Sequence, residues 1–362
     1  MRKLDLAPLT QWITAAALAH PDDLAGHLEQ RLALGRRGVR TLLERLQSAQ
    51  WLVREGTVRH PRWRPGPLRQ VVMTYALAGL EEDLPWRHDF APCFELPAPV
   101  RTMVRHAFTE LLNNAVDHSG GTQVTVSMRQ TPQQLQLLVS DDGCGLFRRI
   151  GEHFAIGDPA LAMLELAKGR LTSQPARHCG QGLVTICRLA DVFDVRANTA
   201  RFQRRAWGAT AWHGMPALPA LSERPGTSIY LAISLDTTRT LASVLAALGS
   251  EAAGYALERT RVPLNLLVAD DSASLVSRAE ARRVAARLAT FQRAEIDFAG
   301  IDDIGHAFAH ELFSVFHGAH PEVELVPVSA TPHIAAIIRA FGPGSGFGPA
   351  AAAGRAGADT VA

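Results

Sequence analysis

The sequence predicts a multi-domain α+β protein, and three observations carry that prediction. At 362 residues the chain is longer than one hydrophobic core usually supports. Its apolar pattern changes twice, from paired helices to a helix followed by strands, then to strand–helix alternation. Two proline-rich stretches, RPGPL and LPWRHDFAPCFELPAPV, follow the first region and read as a linker. The resulting division is a first domain over 1–68, a linker over 69–99, a second domain over 100–240, a third over 258–341 and a tail over 342–362.

Bulk properties narrow the class. A content of 47% hydrophobic and 20% charged residues is that of ordinary globular domains. No apolar run approaches the roughly 18–20 residues a membrane helix needs. Arg2 and Lys3 are followed at once by Asp5, Pro8 and Gln11, so no secretory leader is expected. Cys93, Cys144, Cys179 and Cys187 have no CxxC spacing and read as reduced thiols, with the cytoplasm as the expected location. Net charge is +2, but residues 1–70 hold 12 Lys/Arg against 6 Asp/Glu, which makes that end +6 and the remainder −4. A basic end on a slightly acidic body suggests a polyanion contact there.

Within 1–68 the pattern is that of a winged helix-turn-helix. One helix is expected over Asp22–Leu32, a turn at Leu34-Gly35, and a second helix over Arg36–Ser48. WLVREGTVRHPRW then reads as a hairpin turning at Glu55-Gly56. Leu42, Leu43 and Leu46 would pack the second helix, leaving Arg36, Arg37, Arg40 and Arg45 for a DNA groove and its phosphates. A dimerisation or docking module is the competing reading of the same basic helices.

The second domain opens on FTELLNNAVDHSGG, where Glu110, Asn114 and Asp117 recur at helical spacing with His118 beside them. Leu111, Leu112, Ala115 and Val116 fill the other side, so the polar stripe is coherent. A solvated stripe would explain this segment alone. Two glycine motifs follow in order: VSDDGCGL ends a strand with Asp141, Gly143 and Gly145, and HCGQGLVTICRLAD puts Gly180 and Gly182 at a helix start. PGTSIYL later places Gly226-Thr227 at the head of a strand. QVTVSMRQ, QLQLLVSDDG, DVFDVRAN, GATAWHG and GTSIYLAISL supply strands, and DPALAMLELAKG and GLVTICRLA helices, which implies a two-layer sandwich.

In this order the motifs resemble the Bergerat fold of the GHKL ATPase superfamily, which includes gyrase B subunits, histidine kinases and anti-sigma serine kinases. The resemblance covers Val100 to Leu235 and implies ATP and Mg2+ as cofactors. It implies that Asn114 ligates magnesium and that Glu110, one turn earlier, orients or deprotonates a water or hydroxyl. Asp141 would accept the adenine amino proton, with Gly143 and Gly145 allowing close approach. Gly180, Gln181, Gly182 and Leu183 would form the box that closes over the phosphates, and Thr227 would support a water at the base. Asp117 and His118 extend the nucleotide-facing stripe. Between the boxes lies the expected ATP lid, where Lys168, Arg170 and Arg177 are candidate γ-phosphate cations. The physics agrees: magnesium takes few protein ligands, glycines let backbone N–H groups reach phosphates, and a helix start adds favourable partial charge.

No phosphoacceptor dimerisation helix resembles that of a two-component kinase, so histidine autokinase activity is not expected. The second box, Gly-Gln-Gly-Leu-Val, leans toward the anti-sigma serine kinase branch.

The third domain reads as LNLLVAD (strand), SRAEARRVAARLATF (helix), AEIDFAG (strand), GHAFAHELFSVFHG (helix), EVELVPVSA (strand) and PHIAAIIRAF (helix). It resembles STAS-like domains of anti-sigma antagonists, which implies a protein partner. Where those antagonists carry a phosphoacceptor serine, Ile304-Gly305-His306-Ala307-Phe308 has no hydroxyl. His306, His310 and Glu311 lack the order of a metalloprotease helix, so a metal there is not expected. The tail, GPGSGFGPAAAAGRAGADTVA, is expected to be disordered. The full order resembles a bacterial family of ATP-binding regulators, leaving room for a homodimer. Three functions follow in rank: an ATP-dependent regulator of DNA or protein binding in transcription, a serine kinase acting on a separate protein, and a non-catalytic ATP-binding scaffold.

Overall fold

The computed structural model describes residues 5–57, 59–171, 180–207, 213–216, 225–250, 257–268 and 274–341. Arg177, Cys179, most of GATAWHG and the C-terminal tail lie outside these residues. The chain divides into two compact units, one of residues 1–149, 186–201 and 216–241, the other of 150–185, 202–215 and 242–362.

The first unit begins with helices Ile13–Ala19, Leu24–Leu32 and Arg36–Ser48, followed by the antiparallel pair Leu52–Gly56 and Pro61–Pro65. Asp23 starts the second helix by accepting from the Gly26 N–H at 3.3 Å, and Ala33 ends it in the left-handed conformation. Leu28, Leu42 and Leu46 form a common core with Trp51 and Trp63 from the hairpin. The first strand of the hairpin ends at Gly56 (φ 77°) rather than turning there, and a Cβ on Gly56 would stand 2.5 Å from the His60 carbonyl oxygen.

The stretch read as a linker is built into the fold. Arg69–Ala76 is a strand pairing antiparallel with Gln123–Gln130, and it also anchors the helices before it. Val72 N–H donates to the Gln11 carbonyl (3.1 Å) and Gln70 N–H to the Thr14 hydroxyl (3.1 Å). Buried Arg69 reaches Glu95 at 2.8 Å. The prolines punctuate short helical turns that deliver Trp86 and Phe90 edge-on to Phe108, with ring centroids 5.4 and 5.0 Å away.

Five strands of a seven-stranded sheet lie in this unit, in the order Arg69–Ala76, Gln123–Gln130, Gln134–Asp141, Thr227–Ser234, Val192–Ala197, each antiparallel to its neighbour. Alternation decides the faces. Val124, Val126, Leu135, Leu137, Val139, Ile229 and Leu231 are buried, and the long helix Ala98–His118 packs on this side of the sheet. Met103, Ala107, Phe108, Leu111, Leu112 and Ala115 form its buried stripe.

The second unit has a parallel sheet ordered Arg259–Pro263, Arg293–Asp297, Glu324–Val328. Its first strand lies one element earlier than expected, because LNLL forms a 3-10 turn with Leu264 and Leu266 buried. RTRVP looks polar, yet Thr260 and Val262 are buried and Arg261 donates to buried Asp297 at 2.9 Å. Helix Arg278–Ala285 starts on a capping box between Ser277 and Glu280. His306–His310 continues through a π turn over Glu311–Phe316, and Pro332–Phe341 closes the described chain.

Candidate functional site

Asp141 ends its strand on the helix-facing side, two residues beyond buried Val139. Its Oδ1 accepts from the Gly143 N–H (2.9 Å) and from the Thr227 N–H (3.1 Å). Burial pushes the Asp141 carboxyl above its ordinary pKa, and those two N–H groups pull in the opposite direction. Thr227 Oγ1 accepts in turn from the Leu146 N–H at 2.9 Å, tying the strand head to the residue after the first glycine box.

The glycines of this loop are required by protein contacts. A Cβ on Gly143 would lie 2.2 Å from the Ser119 carbonyl oxygen, and one on Gly226 (φ 94°) 1.9 Å from that of Asp141. At Gly145 (φ 91°) a Cβ would strike the Asn198 side chain at 2.5 Å. Asn198 itself, at φ 53°, donates to the Cys144 carbonyl (2.9 Å) and accepts from the Arg148 N–H (3.2 Å). Asp142 accepts from the N–H groups of Thr122 (2.7 Å) and Gln123 (2.9 Å). Sequence reasoning passed over Asn198 and Asp142. The available signal was an asparagine after a strand, the residue type that most readily takes positive φ.

Glu110, Asn114, Asp117 and His118 are half-buried on the helix Ala98–His118, at the margin of its buried stripe. The side chains of Glu110 and Asn114 have no hydrogen bond or ion pair to the described residues. A carboxylate and an amide four residues apart share one helix face. Oxygen donors of this kind suit magnesium, which keeps water and phosphate oxygens in its shell.

The residues expected around the phosphates belong to the second unit. Gly180 (φ 69°) accepts from the Arg170 N–H at 3.1 Å, and Gln181, Gly182 and Leu183 are half-buried where helix Gly182–Leu189 starts. Lys168 departs from its expected role as a γ-phosphate cation. It is 1% exposed, and its Nζ donates to Glu165 Oε1 (2.6 Å) and to the carbonyls of Arg283 (3.1 Å) and Ala286 (3.0 Å). All three donors are committed, and burial lowers the ammonium pKa while Glu165 opposes that shift. Arg170 likewise donates to the Thr290 carbonyl and stacks over Phe291.

Arg36, Arg37 and Arg40 are exposed on the face opposite Val39, Leu42, Leu43 and Leu46; Arg45 is half-buried. Among the described residues Arg40 has only a loose pair with Glu44 at 3.8 Å. Among the described residues no cluster of three His, Cys, Asp or Glu side chains could hold a metal, and His306 and His310 instead pack edge-on to Phe341. No described helix is long and apolar enough to cross a membrane.

Residues 100–236 match the family of histidine kinase-, DNA gyrase B- and HSP90-like ATPases. This segment is a GHKL-type ATPase domain. The domain implies ATP binding, usually with Mg2+. Residues 280–335 match a STAS-like domain of unknown function. Comparison with curated proteins gives no match.

Proposed function

We propose that the protein is an ATP- and magnesium-binding regulator in which nucleotide occupancy or slow hydrolysis sets its affinity for DNA or a protein partner. The observation that carries the reading is the pairing of a wired Asp141 loop with a Glu110–Asn114 face that is unpaired among the described residues, in one ATPase domain. In this reading Asp141 accepts the purine amino proton, Thr227 holds a water beside it, and Asn114 supplies an amide oxygen to magnesium. Asp117 and His118 border the nucleotide, and Gly180 to Leu183 meet the phosphates through backbone N–H groups. The metal would neutralise developing charge on the phosphates, while Glu110 would align the attacking oxygen and take its proton.

The three helices and hairpin before the ATPase domain support a winged-helix reading, with Arg36, Arg37 and Arg40 as phosphate contacts. The STAS-like domain is the proposed protein-binding end. Calorimetry with ATP–Mg2+ on the wild type and Asp141→Asn, followed by DNA binding of the same pair, tests the reading. Tight binding lost in the variant, together with DNA affinity that differs at least fivefold between apo and ATP forms, is the expected result. Equal DNA affinity in both forms refutes the regulatory step.

Glu110 favours a second reading, a serine kinase acting on a separate protein, because an unpaired carboxylate is suited to accept a hydroxyl proton. The chain's own STAS-like domain offers no hydroxyl over Ile304–Phe308. Transfer of labelled phosphate to a partner, lost in Glu110→Ala with ATP binding retained, would single out this activity.

A further inference from the structure

The face of the sheet turned away from helix Ala98–His118 carries a row of side chains that nucleotide recognition leaves unused. Register places Thr74 opposite Thr125, Thr125 opposite Ser140, Ser140 opposite Ser228, and Ser228 opposite Arg196. Five adjacent strands therefore present four hydroxyls and a guanidinium in one line. The hydroxyls pair laterally, Thr74 with Thr125 at 2.9 Å and Ser140 with Ser228 at 2.7 Å. Small side chains at these positions leave a cleft of about 310 Å³, floored by Thr125, Ser140 and Ser228 and reached by Arg196. That volume is at the lower end of metabolite sites.

Arg196 supplies the observation that points to a ligand. Its Nη2 is shielded from solvent and has no hydrogen-bond partner among the described residues. A buried guanidinium nitrogen without an acceptor is costly, and native structures rarely tolerate one unless something else satisfies it. Asp141 and Asp142 also border the cleft, but their carboxylates are held by the N–H groups of Gly143, Thr227, Thr122 and Gln123. Among the described residues no carboxylate ion-pairs with Arg196.

We propose that this cleft, on the sheet face opposite the one that reads the purine and sharing Asp141 at its border, is a second ligand site for a small polar molecule bearing a carboxylate or phosphate group. A turn of the Arg196 side chain, whose Nη2 is shielded as the structure stands, seats the anion on its fork, and the body of the ligand hydrogen-bonds to the Thr125, Ser140 and Ser228 hydroxyls. Ser140 directly precedes Asp141 and Ser228 directly follows Thr227, so a ligand on one face stiffens the two residues that read the purine on the other. Reciprocal coupling follows: the anion changes ATP affinity, and ATP changes anion affinity by the same factor.

The test is calorimetric titration of the full chain, without nucleotide, with inorganic phosphate and, separately, with citrate. The two arms distinguish a phosphate from a carboxylate preference. At least one anion is expected to bind, with affinity at least tenfold weaker in Arg196→Gln. Ser228→Val, which fills the floor with a residue suited to a strand, should weaken binding at least fivefold and serves should Arg196→Gln fail to fold. Asp141→Asn should keep anion binding, so failure of the nucleotide reading stays distinguishable. With anion bound, ATP affinity should move at least fivefold. Absence of binding by both anions, unchanged binding in folded Arg196→Gln, or full displacement by ADP would overturn the proposal.

Discussion

The Asp141 loop and the Glu110–Asn114 face belong to one domain and are built on opposite principles. In the loop, carboxylate, hydroxyl and amide groups are tied to protein: Asp141 to Gly143 and Thr227, Thr227 to Leu146, Asn198 to Cys144 and Arg148. On the helix, the side chains of Glu110 and Asn114 have no hydrogen bond or ion pair among the described residues. Wired polar groups hold a shape, whereas unwired ones on a half-buried face await a ligand. Removing the first kind should cost stability, and removing the second should cost function alone.

The sharpest test is Lys168, whose three donors are all committed. Lys168→Ala leaves buried Glu165 with only the looser Arg287 pair at 3.7 Å and empties the space beside it, and the expected loss is about 3–5 kcal/mol of stability in denaturant unfolding. A loss below 1 kcal/mol would break the rule that wiring marks structure. Next is Gly226→Ala, which forces a Cβ against the Asp141 carbonyl at positive φ. Roughly 2–4 kcal/mol should be lost, with ATP affinity falling in parallel.

Asp141→Asn keeps an oxygen for the Gly143 and Thr227 N–H groups, so melting should change little. ATP affinity should fall roughly 10- to 150-fold, the range of a charged hydrogen bond worth about 1.5–3 kcal/mol. The wild-type site should also respond to pH. Burial raises the folded-state pKa of Asp141 above its unfolded value, so the ionised form is the one the fold disfavours. As pH falls through the raised value, this group's contribution to stability improves while its acceptor role is lost. ATP affinity should therefore decline at higher pH than an ordinary aspartate would dictate, and calorimetry across pH 4–8 (about the range over which carboxylates and histidines titrate) should find a flatter profile in Asp141→Asn. The smallest effect is expected for Asn114→Ala and Glu110→Ala, whose stabilities should stay within about 0.5 kcal/mol of wild type. Their signatures should be functional: weaker magnesium-dependent binding for the first, lost turnover with binding retained for the second.

The same contrast explains what the sequence made legible. Glycine boxes and the polar stripe are local patterns, and their residues stand where the spacing put them, on a helix face, at a strand end and at a helix start. Lys168 was misread because its partners Arg283 and Ala286 are more than a hundred residues downstream, and no local pattern reports a buried pair. Arg69–Ala76 was hidden by flanking prolines, although an edge strand tolerates them. RTRVP lost to LNLL because Arg259 and Arg261 masked buried Thr260 and Val262. Asn198 braces the first glycine box from over fifty positions away, beyond the reach of any motif.

The Lys168 anchor has a consequence for dissecting the molecule. Helix Pro159–Lys168, counted by motif as part of the ATPase domain, contacts strand Arg259–Pro263 and the Leu264–Leu267 turn, and the Thr260 hydroxyl donates to the Lys168 carbonyl at 2.7 Å. A fragment cut after Ser234 would keep an ammonium and a carboxylate but remove the carbonyls and the apolar wall that enclose them. Motif borders and mechanical borders thus fall in different places, and whatever tugs on the far end of the chain tugs on this helix as well.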